Sequence, residues 1–221
     1  MRTIAFVTQK GGSGKSTLAS CVAVAAHEAG ERVFVIDMDP LASLINWSQA
    51  RGEKDIAVEA VPAGKLKAVL AALEKKGVTL VVIDTPGADD AAMMAAVKAA
   101  DLCIVPARPN AFDLWASEKT RKAVKAAGRD YAFLLNQCPP AQQSARVETG
   151  VKTLEAFGGL LSPLVSARVD FQEAARQGWG VTEIAPSGSA ADEIRTLWSS
   201  IKRRLNKAVA QRALRDRLVE P

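Results

Sequence analysis

The chain has 221 residues and a formal net charge of +5, with 48% hydrophobic and 24% charged side chains, which is ordinary for a globular protein. No apolar run reaches the roughly 18 residues of a membrane-spanning helix. No basic start, apolar run and cleavage site marks a secretory leader, so the expected location is the cytoplasm. Cys21, Cys103 and Cys138 form no C-x-x-C pair and read as packed, reduced thiols.

Apolar, β-rich runs alternate with alanine-rich stretches along the whole chain. The pattern predicts strands at 2–8, 32–37, 57–61, 78–84, 101–106, 130–136 and 160–166. It predicts helices at 15–29, 42–51, 64–76, 89–99, 112–127, 142–157, 170–177 and 189–217. Continuous apolar runs such as Val78–Ile83 suit strands buried on both faces of a parallel sheet. The expected fold is therefore α/β, a doubly wound, mostly parallel sheet flanked by helices, in one domain over 1–221.

The first strand leads into Gln9-Lys10-Gly11-Gly12-Ser13-Gly14-Lys15-Ser16-Thr17, and a helix follows. A glycine-rich loop between strand and helix can turn its amides inward around phosphates, with the positive end of the helix behind them. Gly11, Gly12, Ser13, Gly14 and Thr17 would form the cradle. Lys15 would reach the β- and γ-phosphates, and the Ser16 hydroxyl would ligate Mg²⁺. The general G-x-x-x-x-G-K-[ST] pattern fails at Gln9, and an additional lysine, Lys10, stands beside it.

Strand two ends in Asp37-Met38-Asp39-Pro40, two carboxylates at the sheet edge where ligands bind in such folds. Asp37 reads either as a supporting site residue or as a cap on the next turn. Strand four ends in Ile83-Asp84-Thr85-Pro86-Gly87, which places Asp84 to hold Mg²⁺ through water. No arginine near the loop stands out as a candidate for the transition state, so slow hydrolysis is expected.

Together, the K-G-G-x-G-K-S-T loop, Asp39 and Asp84 resemble the ParA family of partition ATPases within the ParA/MinD superfamily. The segment from Asp37 to Ser48 looks like its short, ParF-like type. The resemblance implies that ATP with Mg²⁺ is bound, and that Lys10 crosses an ATP-dependent homodimer interface to the partner's nucleotide. It implies that Asp39 orients the attacking water, giving Lys10, Lys15 and Asp39 the catalytic roles. Asn136 would pair with the adenine edge, and Pro109 would line the base and the dimer interface. Arg168, in Ser166-Ala167-Arg168-Val169, would bind DNA, although Ala167 replaces the usual proline. Like the short members, the chain is expected to lack an N-terminal DNA-reading domain. A ParB-like adaptor would stimulate turnover, and the cargo would most naturally be plasmid DNA.

Residues 195–221 hold eight basic and two acidic side chains, so this segment carries +6 and the rest −1. A basic helix over about 189–217 suggests a polyanion partner, with Lys202, Arg203, Arg204 and Lys207 contacting non-specific DNA and the ATP state nucleoid-associated. A MinD-like membrane partner is the alternative. It is disfavoured because the apolar face of Ile201, Leu205, Val209 and Ala213 is small. An iron–sulfur reductase of the nitrogenase-iron-protein type would need a cysteine in Thr85-Pro86-Gly87-Ala88, and there is none. A small-molecule kinase would have no use for Lys10.

Overall fold

The computed structural model describes residues 1–87, 90–139 and 144–219, without the side chains of residue 90 and of 215–219. Ala88 and Glu220 therefore lie outside the described residues, as do the charged groups of Arg215, Asp216 and Arg217. In chain order the elements are β1 (Arg2–Phe6), α1 (Lys15–Glu28), β2 (Val33–Asp37), α2 (Ser43–Arg51), β3 (Ala57–Ala60), α3 (Leu66–Lys75) and β4 (Leu80–Asp84). They continue with α4 (Asp90–Ala99), β5 (Leu102–Ala107), α5 (Ala111–Ala126), β6 (Asp130–Leu135), α6 (Ala145–Phe157), α7 (Asp170–Arg176), α8 (Val181–Ile184) and α9 (Ser189–Val219).

The six strands form one sheet in the order β3-β2-β4-β1-β5-β6, and every pairing is parallel. Side chains alternate across it with period two. Ile4 and Phe6 of β1 point into a layer made by α1, α2, α7, α8 and α9. Ala5 and the following Val7 point into the opposite layer, made by α3, α4, α5 and α6. Both faces are thus covered, which is why the strands read as unbroken apolar runs.

The seventh expected strand does not form. The chain at 160–166 runs beside β6 and the residues that follow it, and forms two isolated bridges, Phe133 of β6 with Leu160 and Cys138 beyond it with Ser166. Leu161 N–H donates to the Phe133 carbonyl at 2.8 Å and Val165 N–H to the Leu135 carbonyl at 3.0 Å. Pro163 lies between them and has no N–H, so a continuous ladder is impossible. The helix expected at 142–157 is seen from Ala145; residues 142 and 143 lie outside the described residues.

Helix α9 buries Ile194, Leu197, Ile201 and Leu205 completely, at helical spacing, and nearly buries Trp198 and Ala208. Of the apolar stripe weighed for a membrane surface, Ile201 and Leu205 belong to the core, Val209 packs partly against it and Ala213 is exposed. No helix among the described residues is long and apolar enough to cross a membrane.

Candidate nucleotide-binding site

The site is built at the carboxyl edge of the sheet, where β1, β2 and β4 end side by side. Asp37 and Asp84 occupy paired positions on β2 and β4, and Phe6 lies opposite Asp84. Beyond β1 the chain turns through Gly12 (φ +73°) and Gly14 (φ +91°), left-handed conformations that favour glycine. A Cβ on Gly14 would stand 2.3 Å from Asn136 Nδ2, so the loop needs a bare backbone there. Helix α1 begins at Lys15 with Gly14 as its cap. No side chain caps it and its first turn has no acidic residue. Its N-terminal amides are left for an anion.

The Lys15 ammonium folds back under the loop and donates to the Lys10 carbonyl at 3.4 Å. Burial holds its pKa below the ordinary lysine value, although the charges of Asp84 and Asp39 oppose that shift. Lys10 is half-buried, and among the described residues no ion pair holds its ammonium. The two lysines, five residues apart, therefore sit differently: one is tucked under the loop, the other stands beside it.

Ser16 Oγ donates to Asp84 Oδ2 at 2.5 Å. Asp84 is fully buried, and among the described residues its Oδ1 has no hydrogen-bond partner. Burial is the main force pushing this carboxyl up to about 7; repulsion from Asp37 and Asp39 adds to it, while the Ser16 hydroxyl and Lys15 pull it back. An orphaned carboxylate oxygen beside a hydroxyl fits a divalent cation. Among the described residues no cluster of three or more acidic, His or Cys groups could hold a metal by itself. Mg²⁺ bound through one carboxylate, a hydroxyl and substrate phosphates needs no such cluster.

The two carboxylates of β2 divide their work. Asp37 is a brace: its Oδ1 accepts the Asp39 amide at 3.0 Å, and its Oδ2 accepts Leu44 N–H at 2.9 Å and Ile45 N–H at 3.3 Å at the start of α2. The capping alternative is the one observed. Asp39 lies on the cleft wall, with Oδ1 accepting Leu41 N–H at 3.0 Å.

Gly11, Gly12, Gly14, Lys15, Ser16, Thr17 and Asp39 all line one cleft of about 640 Å³, with Trp47 and Gly87 on its other walls. Ser13 is buried in the turn itself. A Cβ on Gly87 would lie 3.2 Å from the Gly11 backbone, so the segment after β4 rests directly on the phosphate loop. A second cavity, of about 580 Å³, adjoins the cleft at Gly14 and Thr17 and is lined by Asn136, Gln137, Ser166, Arg168 and Gln172.

Asn136, expected at the adenine edge, lines this second cavity, and its Nδ2 donates to the Ser13 carbonyl at 2.8 Å, bracing the loop. Gln137, which the sequence reading did not single out, does the same for Gly12 at 3.3 Å. Pro109 lines a recess between α5 and α6, with Leu114 and Phe157, not the cleft. Its neighbour Arg108 is the residue that approaches the loop. Arg168 lies at the second cavity, where Glu193 of α9 accepts from it at 2.8 Å and also from the Ser166 amide and hydroxyl.

Of the tail cations, Lys202 pairs with Glu31 at 3.1 Å, and Arg204 donates to the Tyr131 carbonyl at 3.1 Å. Arg203 and Lys207 are exposed. Glu31 also binds Arg2 at the start of β1, so this end of α9 lies at the amino edge of the sheet, across from the cleft.

The family described as the CobQ/CobB/MinD/ParA nucleotide binding domain matches residues 4–197. The chain is 36% identical over 166 residues to the maintenance of carboxysome distribution protein A of Gloeobacter kilaueensis, covering 71% of this chain and 76% of that one. It is 28% identical over 214 residues to the protein of the same name from Halothiobacillus neapolitanus, covering 90% and 95%. In fold it is similar to the septum site-determining protein MinD of Pyrococcus horikoshii, solved with Mg-ADP. That likeness has a TM-score of 0.73 at 20% identity and covers 94% of this chain and 98% of that one. With the loop, the buried aspartate and the bare helix end assembled in one cleft, the chain belongs to the CobQ/CobB/MinD/ParA nucleotide-binding domain family and carries its nucleotide site in a P-loop.

Proposed function

We propose that this ATPase is a dimerising switch that positions a large cargo by binding non-specific DNA in its ATP state. Gly11, Gly12, Ser13, Gly14 and Thr17 cradle the phosphates, and Lys15 neutralises them from below. Ser16 and Asp84 hold Mg²⁺, whose charge offsets that of the phosphate oxygens. Asp39 positions the attacking water, so that most of the rate gain comes from orientation. Asn136 and Gln137 hold the loop in shape, and the cavity beside Arg168 receives the nucleoside.

The observation that carries the reading is the placement of Lys10. Its backbone carbonyl is engaged by Lys15, while its ammonium stands at the loop without an ion pair among the described residues. Two ATP molecules brought face to face concentrate negative charge at an interface, and one such lysine from each protomer offsets it. Lys10→Ala should keep ATP binding and lose both the dimer and turnover, measured by nucleotide titration, light scattering and phosphate release. A Lys10→Ala protein that dimerises and hydrolyses like the wild type would end this reading. Unassisted turnover should be well below the enzyme median of about 10 s⁻¹, rising when a ParB-like adaptor is added.

For the cargo, the relatives named for carboxysome distribution support a protein assembly as readily as a plasmid. The polyanion surface is assigned to Arg203 and Lys207, the exposed tail cations, with Lys202 and Arg204 contributing to the local field. Nucleoid association in the ATP state follows from the same contacts. DNA binding that is equal in ATP, ADP and nucleotide-free conditions would remove the switch.

A further inference from the structure

Strands β1 and β5 pair with Phe6 opposite Ile104, and Val7 N–H donates to the Ile104 carbonyl at 2.9 Å. The loop after β5 is therefore a neighbour of the phosphate loop after β1. Arg108 opens that loop, and Asp113, in the first turn of α5 and 2% exposed, grips it from behind. Arg108 Nε donates to Oδ1 at 3.0 Å and Nη2 to Oδ2 at 3.1 Å, while its backbone N–H reaches Oδ1 at 3.3 Å. Asn110 Oδ1 accepts the Asp113 amide at 3.0 Å and fixes the helix start from which the carboxylate projects.

The fork uses Nε and Nη2. The remaining nitrogen, Nη1, comes within 3.7 Å of where a Cβ on Gly12 would stand. Gly12 has no side chain, and its left-handed backbone lets the flat guanidinium lie against the loop.

We propose that Arg108 is a specificity-determining cation of the nucleotide site, held by Asp113 against the outer side of the phosphate loop so that the triphosphate is favoured over the diphosphate. The inference rests on reading the loop as the ATP site. A guanidinium stays charged at any working pH, and one pre-set by a bidentate carboxylate loses little freedom when an anion arrives. ATP carries one more negative charge than ADP, so a fixed positive charge beside the loop adds to the affinity of the first more than to that of the second. A role confined to anchoring α5 would leave the ratio of the two affinities untouched.

The test is titration of the full chain with ATP and ADP, each with Mg²⁺, for wild type, Arg108→Gln and Arg108→Lys, alongside melting of the nucleotide-free proteins. Arg108→Gln should weaken ATP about fivefold and ADP less than about twofold, the difference expected from one ligand charge opposite a partly screened cation. Arg108→Lys keeps the charge and an ion pair with Asp113, and should restore most of the ATP preference. Equal weakening of both nucleotides, or unchanged binding of both, overturns the proposal. A wild-type chain that binds neither nucleotide overturns the site reading itself, and that result is visible before any variant is compared.

Discussion

The two edges of the sheet are opposites in how they treat polar groups. At the amino edge almost every charge near the strand starts has a protein partner. Arg2, Lys202 and Thr79 all converge on Glu31, while Asp101 accepts from the Thr3 amide and from Arg212. At the carboxyl edge the same sheet leaves groups unsatisfied. Among the described residues Asp84 Oδ1 has no partner, no side chain caps the start of α1 and no ion pair holds Lys10, while two glycines hold left-handed turns. Buried polar groups without partners destabilise a fold, so they persist where a ligand completes them. The same strands thus end in one edge whose charges are paired within the protein and another whose polar groups, among the described residues, are not.

The sharpest way to break this contrast is to give the carboxyl edge a side chain it cannot hold. Gly14→Ala places a Cβ in a left-handed turn and against Asn136. Stability should fall by about 2–4 kcal/mol, with a melting temperature lower by roughly 5–12 °C for a chain of this size. Asn136→Ala in the same chain should return the part due to the clash and leave the part due to strain. A Gly14→Ala protein that unfolds within about 0.5 kcal/mol of wild type would show the loop to be less constrained than its geometry implies.

At the amino edge, α9 allows a finer comparison between cations with and without protein partners. Lys202→Ala with Arg204→Ala removes an ion pair to a nearly buried carboxylate and a bond to a strand carbonyl. The expected cost is about 1–2 kcal/mol by denaturant titration. Arg203→Ala with Lys207→Ala should stay within about 0.5 kcal/mol of wild type. It should weaken DNA uniformly across sequences and flatten the salt slope by about two counterions. The reverse pattern would mean that the wrong face of α9 had been assigned to DNA.

The smallest effect should come from acid. Glu31 is desolvated, which alone would raise its pKa, but bonds from Thr79, Arg2 and Lys202 bring it below the ordinary 4.5. A carboxyl lowered on folding contributes stability that is complete above 4.5 and is lost as pH falls through the folded value. Between pH 7 and 5 the contribution should be flat, with at most about 1 kcal/mol lost below that after screening. Glu31→Gln should flatten this acid limb, and an unchanged acid limb would show that Arg2 and Lys202 do not act through Glu31.

Most of the fold was legible because both faces of the sheet are covered, so that Val81, Val82 and Ile83 read as one apolar run whichever layer each enters. The phosphate loop was legible because its chemistry is local: glycines, lysines and a hydroxyl lie within a few residues of one another. What escaped reading depends on contacts across the chain. Pro163 ended the pairing of a segment whose leucines and valine look strand-like. Four-residue α8 is too short to show a period. Arg108, which the sequence reading did not single out, is placed by Asp113, and the side-chain amide of Asn136 reaches Ser13, 123 positions away. Arg204 and Arg203 are neighbours of equal charge in sequence; only the Tyr131 carbonyl distinguishes them.

The strand order has a consequence for how the fold closes. β1 lies between β4 and β5, so both its neighbours are present only when residues up to Ala107 are in place. The brace on its loop, Asn136, comes from farther along the sequence, and α9, which packs on α1, from farther still. Pairing across such separations is the kind that closes slowly. The glycine-rich turn therefore takes its shape from contacts spread over most of the sequence, although its own chemistry is written within a few residues.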